Sequence, residues 1–152
     1  MKNISSEEAR LLGVDTVYQI MDNEDKRFRL VNNDGSSYIR TEGSKNGSWQ
    51  NSHYHKHLNE LYIVEDGWIV YAELTDQGGL SLKLMEKNDS FIVSPLLHHN
   101  IYMSSLAVTH VVKYGGNNGV EPDWFPSPQL DRLTKDITES ELVRMVRGIA
   151  GN

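Results

Sequence analysis

The sequence predicts an all-β protein, a small antiparallel barrel or sandwich with a short helix at each end, and three observations carry that prediction. From Phe28 to Tyr114 the apolar residues fall in short runs rich in Val, Ile, Tyr and Trp. Those runs are punctuated by turn chemistry at Asn32-Asn33-Asp34-Gly35, Asp66-Gly67, Gln77-Gly78-Gly79, Asn88-Asp89 and Ser104-Ser105. No helical pattern of useful length lies between them, which excludes a parallel α/β sheet. At 152 residues the chain is the size of one domain, large enough for a core without staples, and with no cysteine it can form no disulfide.

Taken in order, Ser5 with Glu8 three residues on forms a capping box, and Ala9, Leu11 and Leu12 follow up to Gly13, so the chain opens on a short helix. Residues 14–27 fit two patterns. Val14, Val17, Tyr18 and Met21 mark a helical face, whereas Val17-Tyr18-Gln19-Ile20 also reads as a strand. Phe28-Arg29-Leu30-Val31 and Ser36 to Arg40 flank a turn. Thr41 to Asn46 is polar loop. Strand-type runs then cover 49–55, 60–64, 68–74, 80–85, 90–93, 100–103 and 107–114. The prolines of Asp123-Trp124-Phe125-Pro126-Ser127-Pro128 argue for an irregular segment, with Trp124 and Phe125 placed to cover a barrel end or meet another subunit. Thr138 and Glu141 form a second capping box before Leu142, Val143, Met145, Val146 and Ile149. That final helix is expected to pack on its own barrel, with docking on a partner as the alternative. The organisation is a segment at 1–27, a β-barrel at 28–115 and an irregular-plus-helical segment at 116–152.

Charge narrows the function. The formal net charge is −6, with no Lys/Arg block to track a phosphate backbone, so a nucleic-acid role is excluded. No apolar run approaches the ~20 residues that span a bilayer. The first residues lack the apolar stretch of a secretory leader, and the cytoplasm is the expected compartment.

Five of the six histidines occupy two short windows, His53, His55 and His57 in one and His98 and His99 in the other. On a strand, residues i and i+2 share a face, so the imidazoles of His53 and His55 can meet one ion. Glu60 follows five residues later, and as the start of an antiparallel neighbour it would return its carboxylate to that face. A histidine from another strand completes three nitrogens and one oxygen, a donor set for Fe, Mn, Ni or Zn as one divalent metal ion. His98 and His99 alternate faces, so only one of them serves. His57 falls near a turn, beside the set, and His110 is expected to be an ordinary hydrogen-bonded residue.

The spacing Gly47, five residues, His53-Tyr54-His55, four residues, Glu60, six residues, Gly67 resembles the first sequence motif of the cupins, in the RmlC-like superfamily, at every fixed position. Asn88 to His99 can be laid on their second motif with His99 at the histidine. There Asn88 stands for the first glycine, Ser94 for the proline, Leu96 for the second glycine and Met103 for the asparagine. The resemblance, over residues 47–103, implies a jelly-roll barrel whose metal is held by His53, His55, Glu60 and His99.

The resemblance further implies an enzyme acting on a small organic molecule by dioxygenation, decarboxylation or isomerisation. Glu60 would be ligand and base, and Tyr62 or Tyr102 the proton donor. Tyr102, Trp49, Tyr38, Arg40 and Trp68 are candidate pocket walls, although barrel packing and subunit interface are the expected roles of the aromatics. Arg29 and Arg40 are candidates for pairing a substrate carboxylate or phosphate, with an ion pair as their expected role. His53-Tyr54-His55-Lys56-His57 also resembles cupins that act on nucleotide-linked sugars as isomerases or epimerases by histidine acid/base catalysis, with no essential metal. A ligand-binding or regulatory module is the non-enzymatic alternative. The rims of such a barrel are expected to be covered by pairing into a homodimer.

Overall fold

A computed structural model describes residues 1–116 and 122–148. Helix α1 (Ser6–Leu11) is closed at its start by the reciprocal Ser5–Glu8 box. Ten strands then follow, β1 (Val14–Ile20), β2 (Lys26–Asn32), β3 (Ser37–Glu42), β4 (Ser48–Trp49), β5 (His53–Tyr54), β6 (Asn59–Asp66), β7 (Trp68–Leu74), β8 (Leu80–Glu86), β9 (Ser90–Val93) and β10 (His99–Met103). After them come β11 (Val108–Tyr114), β12 (Phe125–Pro126), α2 (Pro128–Thr134) and α3 (Glu139–Arg147). One sheet runs β1-β2-β3-β11-β6-β9, the other β12-β5-β10-β7-β8, with β4 also on β10. All pairs are antiparallel. The two sheets face each other over Ile39, Tyr62, Val64, Ile69, Met85, Val93, Ile101, Met103 and Val111, all buried.

Several expectations change on folding. Residues 14–20, where helical and strand spacing both fit, are strand, because β1 finds a complete partner in β2 from Val14↔Asn32 to Ile20↔Lys26. The run at 49–55 is not one strand. Gln50 turns its N–H to the Ile101 carbonyl and Ser52 turns its own to Asp131, so β4 and β5 are separate two-residue pieces, both on β10. The proline-bearing segment pairs after all: Phe125↔Tyr54 and Pro126↔His53 form β12 at the sheet edge, where a missing N–H is tolerated. Pro128 then starts α2, whose fixed φ suits the first turn of a helix.

Helix α3 settles against its own barrel. Leu142 is fully buried with Trp49, Val70, Ala72 and Tyr102, and Val146 packs against the same group. The Thr138–Glu141 box starts this helix and Gly148, left-handed, ends it. Ile149 lies outside the described residues.

Two motif glycines have visible causes. Gly47 has φ +63°, and a Cβ there would come within 2.6 Å of the Tyr102 hydroxyl. Gly67 turns β6 into β7 at φ +72° with Ala107 and Ser104 3.0 Å or less from a Cβ position. In the second motif the glycines are gone but their backbone is not: Asn88 has φ +74° and Leu96 +69°. Asparagine takes that conformation readily; leucine is strained by ~1–2 kcal/mol. The strained Leu96 N–H is held by the His55 carbonyl at 2.7 Å, which ties the loop before His99 to the first histidine window.

Candidate metal centre

The site is assembled across the sheets rather than along one. β5 and β10 are neighbours with His53 directly opposite His99, and their rings lie 4.4 Å apart. Glu60 is not on the strand next to β5, as spacing alone suggests. It starts β6 in the opposite sheet, pairing with Lys113 on β11 and Val93 on β9, and reaches across the interior. His99 Nε2 is 2.7 Å from Glu60 Oε2, His53 Nε2 is 3.8 Å from the same oxygen, and His55 Nε2 is 3.3 Å from Oε1. His53, His55, Glu60 and His99 are all buried.

The backbone dictates which ring nitrogens face inward. His53 Nδ1 donates to the Asn51 carbonyl at 2.9 Å, His99 Nδ1 to that of Leu97 at 3.0 Å, and His55 Nδ1 to that of Asp123. A carbonyl only accepts, so each Nδ1 carries a proton, and in the neutral ring Nε2 presents its lone pair to the interior. Burial above all, opposed by Glu60, pushes His53 down to about 4, so this ring is neutral through the ordinary pH range. Burial works against a charge on Glu60, but the adjacent Lys113 ammonium outweighs it and holds the carboxyl well below its usual range.

Lone pairs of two imidazoles and an anionic oxygen therefore converge on one point. His53 Nε2, Glu60 Oε2 and His99 Nε2 are buried without a hydrogen-bond partner among the described residues, and one donor atom from each residue lies within 4.8 Å of the others. Such a cluster is unfavourable unless a cation occupies its centre. The donor chemistry fits a divalent ion of the Fe, Mn, Ni or Zn kind.

Lys113 meets the other half of the site. Its Nζ is 3.1 Å from Glu60 Oε1 and 3.2 Å from His55 Nε2. Glu60 thus turns one oxygen to the Lys113 ammonium and the other toward His53 and His99. Lys113 was not among the sequence candidates, although its signal is there: it shares strand parity with the inward Thr109 and Val111, a phase where a lysine has no solvent reason to be. Asp123, also missed, accepts from the backbone N–H of Lys56, His57 and Leu58 at 2.7, 2.8 and 2.9 Å and so shapes the turn between β5 and β6.

The remaining candidates separate clearly. Tyr62 is buried inside, stacked on Phe91, with its ring 6.4 Å from that of His99. Tyr102 does not reach the centre, which corrects its assignment as a proton donor there. It alternates with His99 on β10, so it faces outward, packs on Trp49 and Trp68, and donates to Glu139 at 2.6 Å. His98 likewise points away, stacked on Tyr54 with Nδ1 2.8 Å from the Ser127 hydroxyl. His57 is exposed in the turn. On the outer face of the first sheet, Tyr38 and Glu65 hold His110, and Arg40 pairs with Glu65 and Glu42. Trp124 lies over His53 with the rings 5.5 Å apart, and Phe125 stacks on Tyr54.

Glu60, His53 and His55 open onto a cavity of about 740 Å³ between the sheets, lined also by Tyr62, Lys113 and Trp124. That volume suits a small organic ligand.

No family model matches the chain, and no curated protein does. Among solved structures it is similar to oxalate decarboxylase from Bacillus subtilis, with a TM-score of 0.60 and 14% identity over 90% of this chain and 35% of that one. It is similar to the capsular polysaccharide assembling protein CapF from Staphylococcus aureus, at 0.57 and 16% over 72% of this chain and 32% of that one. KdgF from Halomonas sp. gives 0.53 and 11% over 65% and 86%. The chain spans about a third of the length of oxalate decarboxylase and of CapF. At these identities the likeness is one of fold, and the fold is that of a small cupin-type jelly roll. Within it lies a buried histidine–glutamate centre suited to a metal ion.

Proposed function

We propose that this chain is a metal-dependent cupin-fold enzyme that acts on a small organic molecule in the cavity beside Glu60. The observation that carries this reading is the convergence of three buried, unpartnered donor atoms, on His53, Glu60 and His99. His55 is the fourth donor at Glu60, with its Nε2 shared by Lys113. A bound divalent ion would supply Lewis-acid chemistry, or dioxygen binding in a redox-active case, which fits dioxygenation, decarboxylation or isomerisation. Around it, Lys113 holds Glu60 charged, Tyr62 and Trp124 wall the cavity, and Glu60 is the base nearest a bound substrate.

Protein stripped with a chelator and titrated with Mn, Fe(II), Ni and Zn should take up one ion per chain. Its unfolding temperature should rise with ion concentration, because only the native state gathers the donors. Trace metal content with no uptake of any of the four would sink the reading.

A second reading draws on the Lys113 contact. A buried carboxylate flanked by an ammonium and imidazoles can move protons without a metal, as a sugar isomerase or epimerase would require. The structure of CapF, a capsular polysaccharide assembling protein, lends this reading a sugar context for that protein. Absence of metal uptake, combined with stabilisation by nucleotide sugars, would favour it over the first.

For assembly, we propose a homodimer through the outer face of β1 and β2. Tyr18, Ile20, Phe28 and Leu30 are exposed there, next to the unpaired edge of β1, and a second copy would cover both. Sedimentation should give twice the chain mass of 17.3 kDa, reverting to one on Tyr18→Lys with Ile20→Lys. A monomer at all concentrations would exclude it.

A further inference from the structure

Strand β2 carries two arginines on its inward face. Arg27 and Arg29 lie two residues apart, opposite Thr41 and Ile39 of β3, and both line the cavity that reaches Glu60. Inward positions on the neighbouring strands are Ile39, Thr41, Thr109, Val111 and Tyr62, so the side chains beside the two guanidiniums carry no charge. Arg29 Nη1 donates to Gln19 at 2.8 Å, but its Nε is buried with no partner among the described residues. The ion pairs among the described residues use Arg10, Arg40, Lys87, Lys113 and Arg147, and neither Arg27 nor Arg29 has one.

Among the described residues, the acids that line the cavity are already engaged. Glu60 answers Lys113, and Asp123 is held by three backbone N–H groups. Burial, followed by the charge of Arg27, pushes the Arg29 guanidinium below its ordinary value, which places the two cations in each other's field. Two adjacent, partly desolvated cations inside a protein of net charge −6 have no ionic counterpart among the described residues. A planar fork with free donors is the residue for an oxyanion.

We propose that Arg27 and Arg29 form an anchoring subsite for the oxyanion group, carboxylate or phosphate, of the small organic molecule that occupies the cavity. This rests on the proposed function for the reaction but not for the binding, since the arginines need no metal to hold an anion. They bind and position the substrate, with the remainder of the molecule directed along Val111 and Tyr62 toward Glu60.

Calorimetry on metal-stripped, otherwise intact protein tests the subsite with two probe series. One comprises acetate, succinate and benzoate with their methyl esters. The other comprises inorganic phosphate and glycerol 3-phosphate. Members of one series should bind while the neutral esters do not, and which series binds names the anion. Arg27→Met and Arg29→Met should each weaken that binding by about ten- to a hundredfold, as lost hydrogen bonds to a charged group do. Arg29→Lys, which keeps the charge and loses the fork, should fall between. Metal uptake should be the same in all of them. Failure of both series, or variants that bind as the parent protein does, overturns the subsite. If a variant loses its fold, the Lys replacement and the esters still decide. Metal uptake without oxyanion binding would sink this inference alone, and oxyanion binding without metal uptake would sink only the metal reading.

Discussion

His99→Ala should lower divalent-ion affinity by on the order of a hundredfold or more, since changes at groups that merely orient ligands already cost 10–100-fold. His99 supplies the shortest approach to Glu60, 2.7 Å, and its loss leaves the His53 Nε2 and one carboxylate oxygen as the unpartnered donors. His98→Ala is the matching control. That ring stacks on Tyr54 and meets Ser127 on the other side of the strand, so uptake should not change. Calorimetric titration of the stripped proteins measures both. Equal affinity in the parent and His99→Ala proteins would remove His99 from the site, and loss in His98→Ala would give the role to its neighbour.

Leu142→Ala is expected to cost about 2–5 kcal/mol of stability, the range for a large-to-small change at a packed position. Leu142 is fully buried and is the side chain through which α3 seals Trp49, Val70, Ala72 and Tyr102. Against a typical total of ~5–15 kcal/mol that is a large fraction. Met145, half-exposed on the same helix, should change stability by ~0.5 kcal/mol or less on Met145→Ala. Urea unfolding followed by the near-ultraviolet signal of Trp49 and Trp68 reads both. A cost for Leu142→Ala under ~1 kcal/mol would mean that α3 does not seal this cluster.

Much of the fold was legible because its signals are local. Turn residues at Asp66-Gly67 and Gln77-Gly78-Gly79 and alternation between them mark strands wherever those strands later pair. The capping boxes at Ser5–Glu8 and Thr138–Glu141 mark helix starts for the same reason. The segment at 14–20 was ambiguous because its partner β2, not its own spacing, decides between helix and strand. The two-residue strand at Phe125–Pro126 was illegible because a proline at an edge is permitted only by what lies beside it.

At the site, the sequence by itself determined the inventory: histidines in two windows, a glutamate at fixed spacing from the first, no cysteine, and hence nitrogen and oxygen as the donors. It determined also that His98 and His99 must face opposite ways, since strand parity is a property of the chain. Tertiary structure alone decided the rest. Glu60 comes from the opposite sheet, Tyr102 is sent outward to Glu139, and Lys113, Arg27 and Arg29 are brought to one cavity from different strands. The physical reason is that parity assigns a side chain to one face of its sheet, whereas only the pairing and packing of the two sheets assign that face to the interior and choose its neighbours.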